Sequence, residues 1–258
     1  IDQSGRHIVV FNPLAFDRTD VVRVTKCAVE DPFDLIDTAT GQAVPCQVVE
    51  LDGPLAAVPY APHRWARGQF ERQELFDLVF VAERVPSMGY KTYRIVPRES
   101  APERDSGPAV TGNTIENRFF RVTLDPRTGA IASLYDKDLS RELVDREAPD
   151  KLNQFVAKWV QTSNREGPAC AEIRAVQRGP VCASLVSRGS GPGCPQIIQE
   201  LVLYDRIKRI DLFNRVLKDS TPLLEIYFAF PFEVDAPAFR FEGSNSVIEP
   251  LRDQFPGS

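Results

Sequence analysis

Short apolar runs that repeat with a period of two residues dominate this sequence, and they limit the fold more than any other feature. In the first hundred residues these runs span 7–11, 20–26, 74–81 and 91–96. Turn-forming residues separate them, as at Thr40-Gly41, Asp52-Gly53-Pro54 and Ser87-Met88-Gly89. Alternating runs between glycine and proline turns are typical of antiparallel β-sandwiches, and we find no long amphipathic helix. The pattern therefore predicts an all-β fold.

A polar stretch divides the chain. Residues 98–113 are rich in proline, glycine, serine and charge, which is typical of a linker or a long loop. We therefore predict a boundary near residue 106, with a small antiparallel β-sandwich over 1–105 and a larger β assembly over 106–258. Further strands are predicted at 114–124, 130–135, 171–176, 181–186, 197–204, 207–216 and 223–230. Residues 139–160 leave two alternatives open, a short helix capped by Ser140 or a loop.

Composition excludes several classes of protein. The chain has 258 residues and a formal net charge of -5, so attraction to a nucleic-acid backbone is not expected. No apolar run reaches the 18 residues that a membrane span needs. The five cysteines are widely spaced and form no C-x-x-C pair, which indicates free thiols in a reducing compartment and predicts a cytoplasmic protein. With only two histidines, a mechanism that needs several imidazoles is not available.

Two short segments carry groups that suggest chemistry. Asp136 and Asp138 are two residues apart, so in a strand both carboxylates would share one face, as a glycosidase acid pair requires. We favour the alternative that they form a solvated turn in which Asp136 binds backbone amides. The segment 63–68 places His63 beside Trp65 and could stack on a sugar or hold an anion. We favour a plain loop with Trp65 packed inward.

Two further segments resemble anion sites less well. Residues 206–211 are locally basic, but their alternation favours a solvated or cross-strand-paired sheet. The glycine-rich segment 189–193 lacks the G-K-[ST] ending of a phosphate loop, and we interpret it as a hairpin loop. The residues by themselves therefore predict no catalytic residue and no metal ligand in this chain.

Several stretches, taken in order, resemble one family. They are residues 9–22, 88–93, 116–122, 128–137 and 141–144. Together they are similar to the β-rich C-terminal half of glycoside hydrolase family 38, the α-mannosidases. The resemblance implies a small β-sandwich followed by a galactose-mutarotase-like supersandwich. It also implies a zinc-dependent retaining enzyme whose zinc ligands and nucleophile lie on an N-terminal barrel, followed by a helical segment, both preceding Ile1.

The expected role follows from that resemblance. We expect a truncated, non-catalytic C-terminal region that packs against the parent's barrel and helical segment and shapes a cleft for mannose-containing carbohydrate. No cofactor is expected in this fragment, and zinc is expected in the parent barrel. An exposed apolar face should make the isolated chain self-associate. The alternatives are a purely structural interaction domain or an autonomous carbohydrate-binding module, whose candidate residues would be Trp65, Trp159, Arg252, Asp253 and Gln254.

Overall fold

The computed structural model describes residues 5–27, 32–49, 76–99, 107–250 and 252–254. Every regular element in these ranges is a β-strand, and the strands pair in antiparallel sheets. The prediction of an all-β fold is therefore confirmed. The described ranges contain no helix with the length and apolar character needed to cross a membrane.

The first β unit, formed by the described residues up to 99, is a sandwich of two sheets. Its strands are β1 (Arg6–Asn12), β2 (Arg18–Cys27), β3 (Phe33–Asp37), β4 (Ala43–Val44), β5 (Cys46–Val49), β6 (Phe76–Val85) and β7 (Gly89–Pro97). The order β1-β7-β3-β4 forms one sheet and the order β2-β6-β5 forms the other. Alternate residues of each sheet point inward, so that Leu35, Phe80 and Tyr93 meet in one core cluster.

The second β unit, formed by residues from 107 onward, contains four sheets. Its strands are β8 (Ala109–Thr111), β9 (Thr114–Glu116), β10 (Phe120–Leu124), β11 (Ile131–Asp136), β12 (Arg141–Glu142), β13 (Gln154–Trp159), β14 (Arg165–Glu166), β15 (Ala169–Arg178), β16 (Cys182–Gly191), β17 (Cys194–Tyr204), β18 (Ile210–Leu217), β19 (Leu224–Ala229), β20 (Phe241–Gly243) and β21 (Ser246–Ile248). The sheet orders are β12-β11-β10-β9-β8, β14-β13-β19, β15-β16-β17-β18 and β20-β21.

The sheet β15-β16-β17-β18, called here the central sheet, is covered on both faces. On one face Leu201 and Leu203 pack into the cluster formed with β9, β10 and β11. On the other face Val202 and Tyr204 share a cluster with Val79 and Val81 of β6. The two β units are therefore joined by a common apolar core. The predicted boundary near residue 106 lies outside the described residues and stays a prediction.

Two of the predicted strands were wrong in detail, and the structure decides the stretch for which two alternatives were open. The stretch 114–124 is two strands, because the Asn117 Oδ1 accepts the backbone amides of Phe119 (2.9 Å) and Phe120 (2.6 Å) and turns the chain between β9 and β10. At 139–160, where a short helix and a loop were both open, the structure has no helix: Ser140 has a φ of 50°, and the strands β12 and β13 interrupt the loop. The predicted strand 207–216 begins only at Ile210.

Candidate functional site

The residues predicted to bind carbohydrate lie in separate surroundings. Trp159, at the end of β13, is half-buried, and its indole N–H donates to the Glu166 carboxylate at 2.7 Å. Arg252 and Asp253 follow β21 and contact Glu249, whose backbone amide donates to the Asp253 carboxylate at 2.9 Å.

Gln254 lies beside this turn, at the end of the described residues. Trp65, with the rest of the 63–68 segment, lies outside the described residues. The contacts of Trp159 and those of the Arg252–Asp253 turn involve different partners, and binding of carbohydrate by these residues stays a prediction.

Asp136 and Asp138, at the end of β11, have a structural role. Asp136 Oδ1 accepts the backbone amides of Asp138 at 3.0 Å and Leu139 at 3.1 Å. The Lys208 ammonium lies 2.9 Å from Asp136 and 2.8 Å from Asp138. Asp136 therefore binds backbone amides as the turn interpretation predicts, but at 3% exposure it is not solvated. A carboxylate held by one cation and two amides is a poor general acid.

The locally basic segment is a turn that joins three sheets, and we call residues 206–209 the basic turn. Arg206 reaches Glu83 of β6 at 3.3 Å, and Lys208 binds the two aspartates that follow β11. Arg209 contacts Asp20 of β2 and Asp211 of β18, each at 2.7 Å. The hydrogen bond to Asp211 raises the pKa of the guanidinium. Each cation already has a carboxylate partner, so the basic turn acts as a structural junction between the β units.

The remaining sequence candidates also have structural roles. The glycine-rich segment 189–193 is a loop only in part: residues 189–191 belong to β16, and 192–193 form the turn to β17, where Gly193 has the positive φ of 62° that a tight turn allows to glycine. Among the described residues the thiols of Cys170, Cys182 and Cys194 are in no disulfide. Burial raises the pKa of Cys182 to about 12, which keeps that thiol protonated and unreactive at neutral pH.

The sequence predicted an exposed apolar face without locating it, and the structure has exposed apolar residues on the first β unit. Phe11 of β1 and Tyr90 of β7 are cross-strand neighbours with ring centroids 5.7 Å apart, and they are 73% and 54% exposed. Met88 lies two residues before Tyr90 and is 74% exposed, and its backbone amide donates to the Leu14 carbonyl at 2.9 Å. We call this surface the exposed apolar face; its residues are Val9, Phe11, Leu14, Phe16, Met88 and Tyr90.

A local signal for this face exists in the sequence. The run Ile8-Val9-Val10-Phe11 is apolar at every position, whereas a strand with one solvated face alternates apolar and polar residues. Ile8 and Val10 pack toward the core cluster of the first β unit, so Val9 and Phe11 necessarily point away from it.

A metal centre is not supported by the described part of the chain. No group of three or more histidine, cysteine, aspartate or glutamate side chains is placed there to hold an ion. The zinc that the family resemblance implies was expected on the parent barrel, and it stays a prediction.

Comparison with known proteins shows which family this chain resembles. The sequence profile described as "Glycosyl hydrolases family 38 C-terminal domain" matches residues 115–254. A crystal structure of a protein in the Glycosyl Hydrolase Family 38 from Enterococcus faecalis superposes with a TM-score of 0.60 and 13% identity. The superposition covers 86% of this chain and 32% of that one, so this chain spans about a third of that protein. A search of curated proteins found no match.

At 13% identity the structural likeness establishes the fold alone, whereas the profile covers more than half of the chain. The resemblance noted in the sequence is thereby confirmed: the chain belongs to glycosyl hydrolase family 38 and contains the C-terminal domain of that family.

Proposed function

We propose that this chain is the non-catalytic β region of an α-mannosidase-like enzyme. It packs through its exposed apolar face against the catalytic domain of that enzyme and completes one wall of the carbohydrate cleft. Cleavage of mannose-containing carbohydrate, with zinc, takes place on the partner domain. Membership of the family's C-terminal domain supports this role, because such a domain works together with a catalytic domain in the same protein.

The exposed apolar face is the observation that carries the proposal. The outer face of an antiparallel sheet in water is normally polar, yet here the neighbouring rings of Phe11 and Tyr90 are exposed, and Met88, two residues before Tyr90, is 74% exposed. Burying one large apolar side chain is worth about 1.5–3 kcal/mol. A surface with this much unburied apolar area is typical of an interaction site.

Three acidic residues of the described ranges are held in ion pairs, which supports a non-catalytic role. Glycoside hydrolysis needs an acid and a second carboxylate that face a shared substrate. In this structure the Asp136–Asp138 pair is bound by Lys208, and Asp20 is bound by Arg18 and Arg209. We therefore expect no hydrolysis of an aryl α-mannoside by this chain alone.

The test replaces the two exposed rings by a polar residue of high β propensity. Phe11→Thr with Tyr90→Thr leaves the core untouched, because both side chains point to solvent. We expect the wild-type chain to self-associate in light scattering behind size exclusion, and the double variant to be monomeric with unchanged stability. The matched control is Val160→Thr, which changes an apolar residue at 48% exposure away from this face.

A second experiment measures binding to the partner domain directly. The wild-type chain should bind a separately expressed catalytic domain of the same enzyme, and the double variant should bind it at least tenfold more weakly. Equal binding by the two proteins, or a wild-type chain that stays monomeric at high concentration, would contradict the proposal.

The rival function, an autonomous carbohydrate-binding module, has its own readout. Trp159 is half-buried and its N–H is engaged by Glu166, so a sugar that reached it would change its fluorescence. Saturable quenching by α-mannosides would favour the module, and no quenching would favour the scaffold role. Trp159 and Arg252 contact different partners, and for this reason we place the carbohydrate-binding module second.

A further inference from the structure

An open groove of about 470 Å³ crosses the outer face of the sheet β1-β7-β3-β4. His7 of β1, Thr92 and Arg94 of β7 and Ile36 of β3 line it, together with the Tyr90 ring of the exposed apolar face. These side chains point away from the core, because the residues that alternate with them pack into the core cluster of the first β unit. The groove is therefore open to solvent, and its volume lies in the range of small-molecule sites, about 300–1,000 Å³.

Polar groups without a partner are concentrated in this groove. His7 and Arg94 have no hydrogen bond or ion pair with another described residue, and the Thr92 hydroxyl has none either. A nearby cation on the same unit is paired, since Arg98 lies 2.8 Å from the Asp34 carboxylate. The groove therefore offers hydrogen-bond donors that the fold itself does not use.

The charge of the groove indicates an anionic ligand. His7 and Arg94 lie directly opposite each other in the β1–β7 pair, where Cβ atoms are about 4.5–5.5 Å apart and like charges repel. The guanidinium is always charged, and an imidazole becomes charged on mild acidification. Among the described residues no acidic side chain lines the groove. A carboxylate or phosphate can accept hydrogen bonds from both groups and removes their repulsion.

The rest of the groove fits the ring of a sugar. Tyr90 is 54% exposed, so its aromatic face is free to stack on an apolar sugar face. Thr92 lies between Tyr90 and Arg94 on the same side of β7, and its hydroxyl can donate to or accept from a sugar hydroxyl. Tyr90 and Arg94 are about 13 Å apart along the strand, which their two long side chains and one monosaccharide with an acidic group can span.

We propose that this groove binds an anionic sugar, that is, a monosaccharide unit with a carboxylate or phosphate group. The anionic group lies between His7 and Arg94, and the sugar ring lies over Thr92 against Tyr90. The proposal goes beyond the docking role, because it assigns a ligand to this chain by itself. The two proposals have separate readouts, since the docking test measures association between proteins and not binding of a small molecule.

Binding is measured by isothermal titration calorimetry with glucuronate, glucose 6-phosphate, glucose and inorganic phosphate. We expect saturable heats with at least one acidic sugar, about tenfold weaker binding of glucose and of inorganic phosphate, and a loss of affinity at high salt. Binding of glucuronate alone assigns a carboxylate ligand, and binding of glucose 6-phosphate alone assigns a phosphate ligand. No saturable binding of either acidic sugar, or equal affinity for glucose or for inorganic phosphate, would overturn the proposal.

Three variants test the assignment of residues. Arg94→Gln should weaken binding of the acidic sugar about tenfold or more, because it removes a charge-assisted hydrogen bond. The matched control is Arg121→Gln, which removes one exposed positive charge from the second β unit and should bind as the wild type does. Phe11→Thr changes the exposed apolar face outside the groove, and it should also leave binding unchanged. Equal affinities for the wild type and Arg94→Gln, or an equal loss in Arg121→Gln, would overturn the proposal.

Discussion

Glu200 is a buried acid in the middle of the central sheet, and its ionisation gives a quantitative test of this structure. It is 2% exposed, and its Oε2 has no hydrogen-bond partner among the described residues. Burial raises the pKa of the carboxyl above its ordinary value of 4.5, although Ser184 and the charges of Arg23 and Arg215 oppose that effect. Folding therefore favours the protonated form of Glu200.

The sign of the pH dependence follows from this shift. When folding raises the pKa of an acid, the folded state binds more protons than the unfolded state between the two pKa values. The contribution of Glu200 to stability is thus fully present below about pH 4.5 and declines as pH rises through the folded-state pKa. Replacement by glutamine keeps the shape and removes the ionisation.

We expect Glu200→Gln to have the same free energy of unfolding as the wild type near pH 4. At pH 8 the variant should be more stable by about 1–3 kcal/mol, the cost of an unsatisfied buried polar group. The measurement is urea unfolding at a series of pH values, followed by tryptophan fluorescence. A parallel melting experiment should show a rise of about 2–4 °C per kcal/mol. Comparing the two proteins at each pH cancels the titration of the other carboxylates.

The matched control is Glu225→Gln on β19. Glu225 is 55% exposed and pairs with Lys158 at 3.2 Å, and exposed ion pairs contribute about 0–1 kcal/mol. The control variant should therefore change the free energy of unfolding only slightly at every pH. If Glu200→Gln is instead less stable at pH 8 and the difference vanishes at low pH, Glu200 is ionised and paired, and the reasoning is refuted.

Two further predictions concern the glycine at a close strand contact and the aspartate at the end of β11. A Cβ on Gly189 would lie 2.3 Å from the Ala169 carbonyl oxygen, so Gly189→Ala should cost about 1–3 kcal/mol in urea unfolding, whereas Gly167→Ala, whose nearest contact is 3.7 Å, should be nearly neutral. Burial alone would raise the pKa of Asp136, but the Lys208 hydrogen bond and two backbone amides outweigh it and lower the pKa below 3.8. The stability from Asp136 is present above the unfolded-state pKa and is lost as pH falls through the folded-state pKa. Asp136→Asn should therefore lose about 0.5–1.5 kcal/mol at pH 7 and less at pH 3, and an unchanged loss at pH 3 would contradict this assignment.

The all-β class could be predicted from the sequence because its signal is local. A strand turns successive side chains to opposite faces, so a period of two residues is readable wherever one face is buried. The hairpin of β10 and β11 is an example, with Asp125 and Gly129 forming its turn through a 2.8 Å backbone hydrogen bond. The family could be read from local similarity for the same reason.

Strand ends were less predictable, because side chains decide them. The side-chain oxygen of Asn117 accepts hydrogen bonds from two backbone amides, in place of backbone acceptors. The predicted strand is thereby divided into β9 and β10. The basic residues at 206–209 alternate like a strand, but Arg206 and Arg209 reach acids on the sheet β2-β6-β5, and Lys208 reaches Asp136 on the sheet that contains β11. The chain turns there instead.

The sequence by itself determined that the chain forms antiparallel sheets, which positions alternate, and to which family it belongs. Only the tertiary structure decided what covers each face: that Val202 meets Val79, that Arg209 reaches Asp20 across 189 residues of chain, and that Phe11 remains exposed. Alternation is a property of the backbone within a few residues, whereas burial depends on which distant segment arrives, and that is set by the packing of the whole core.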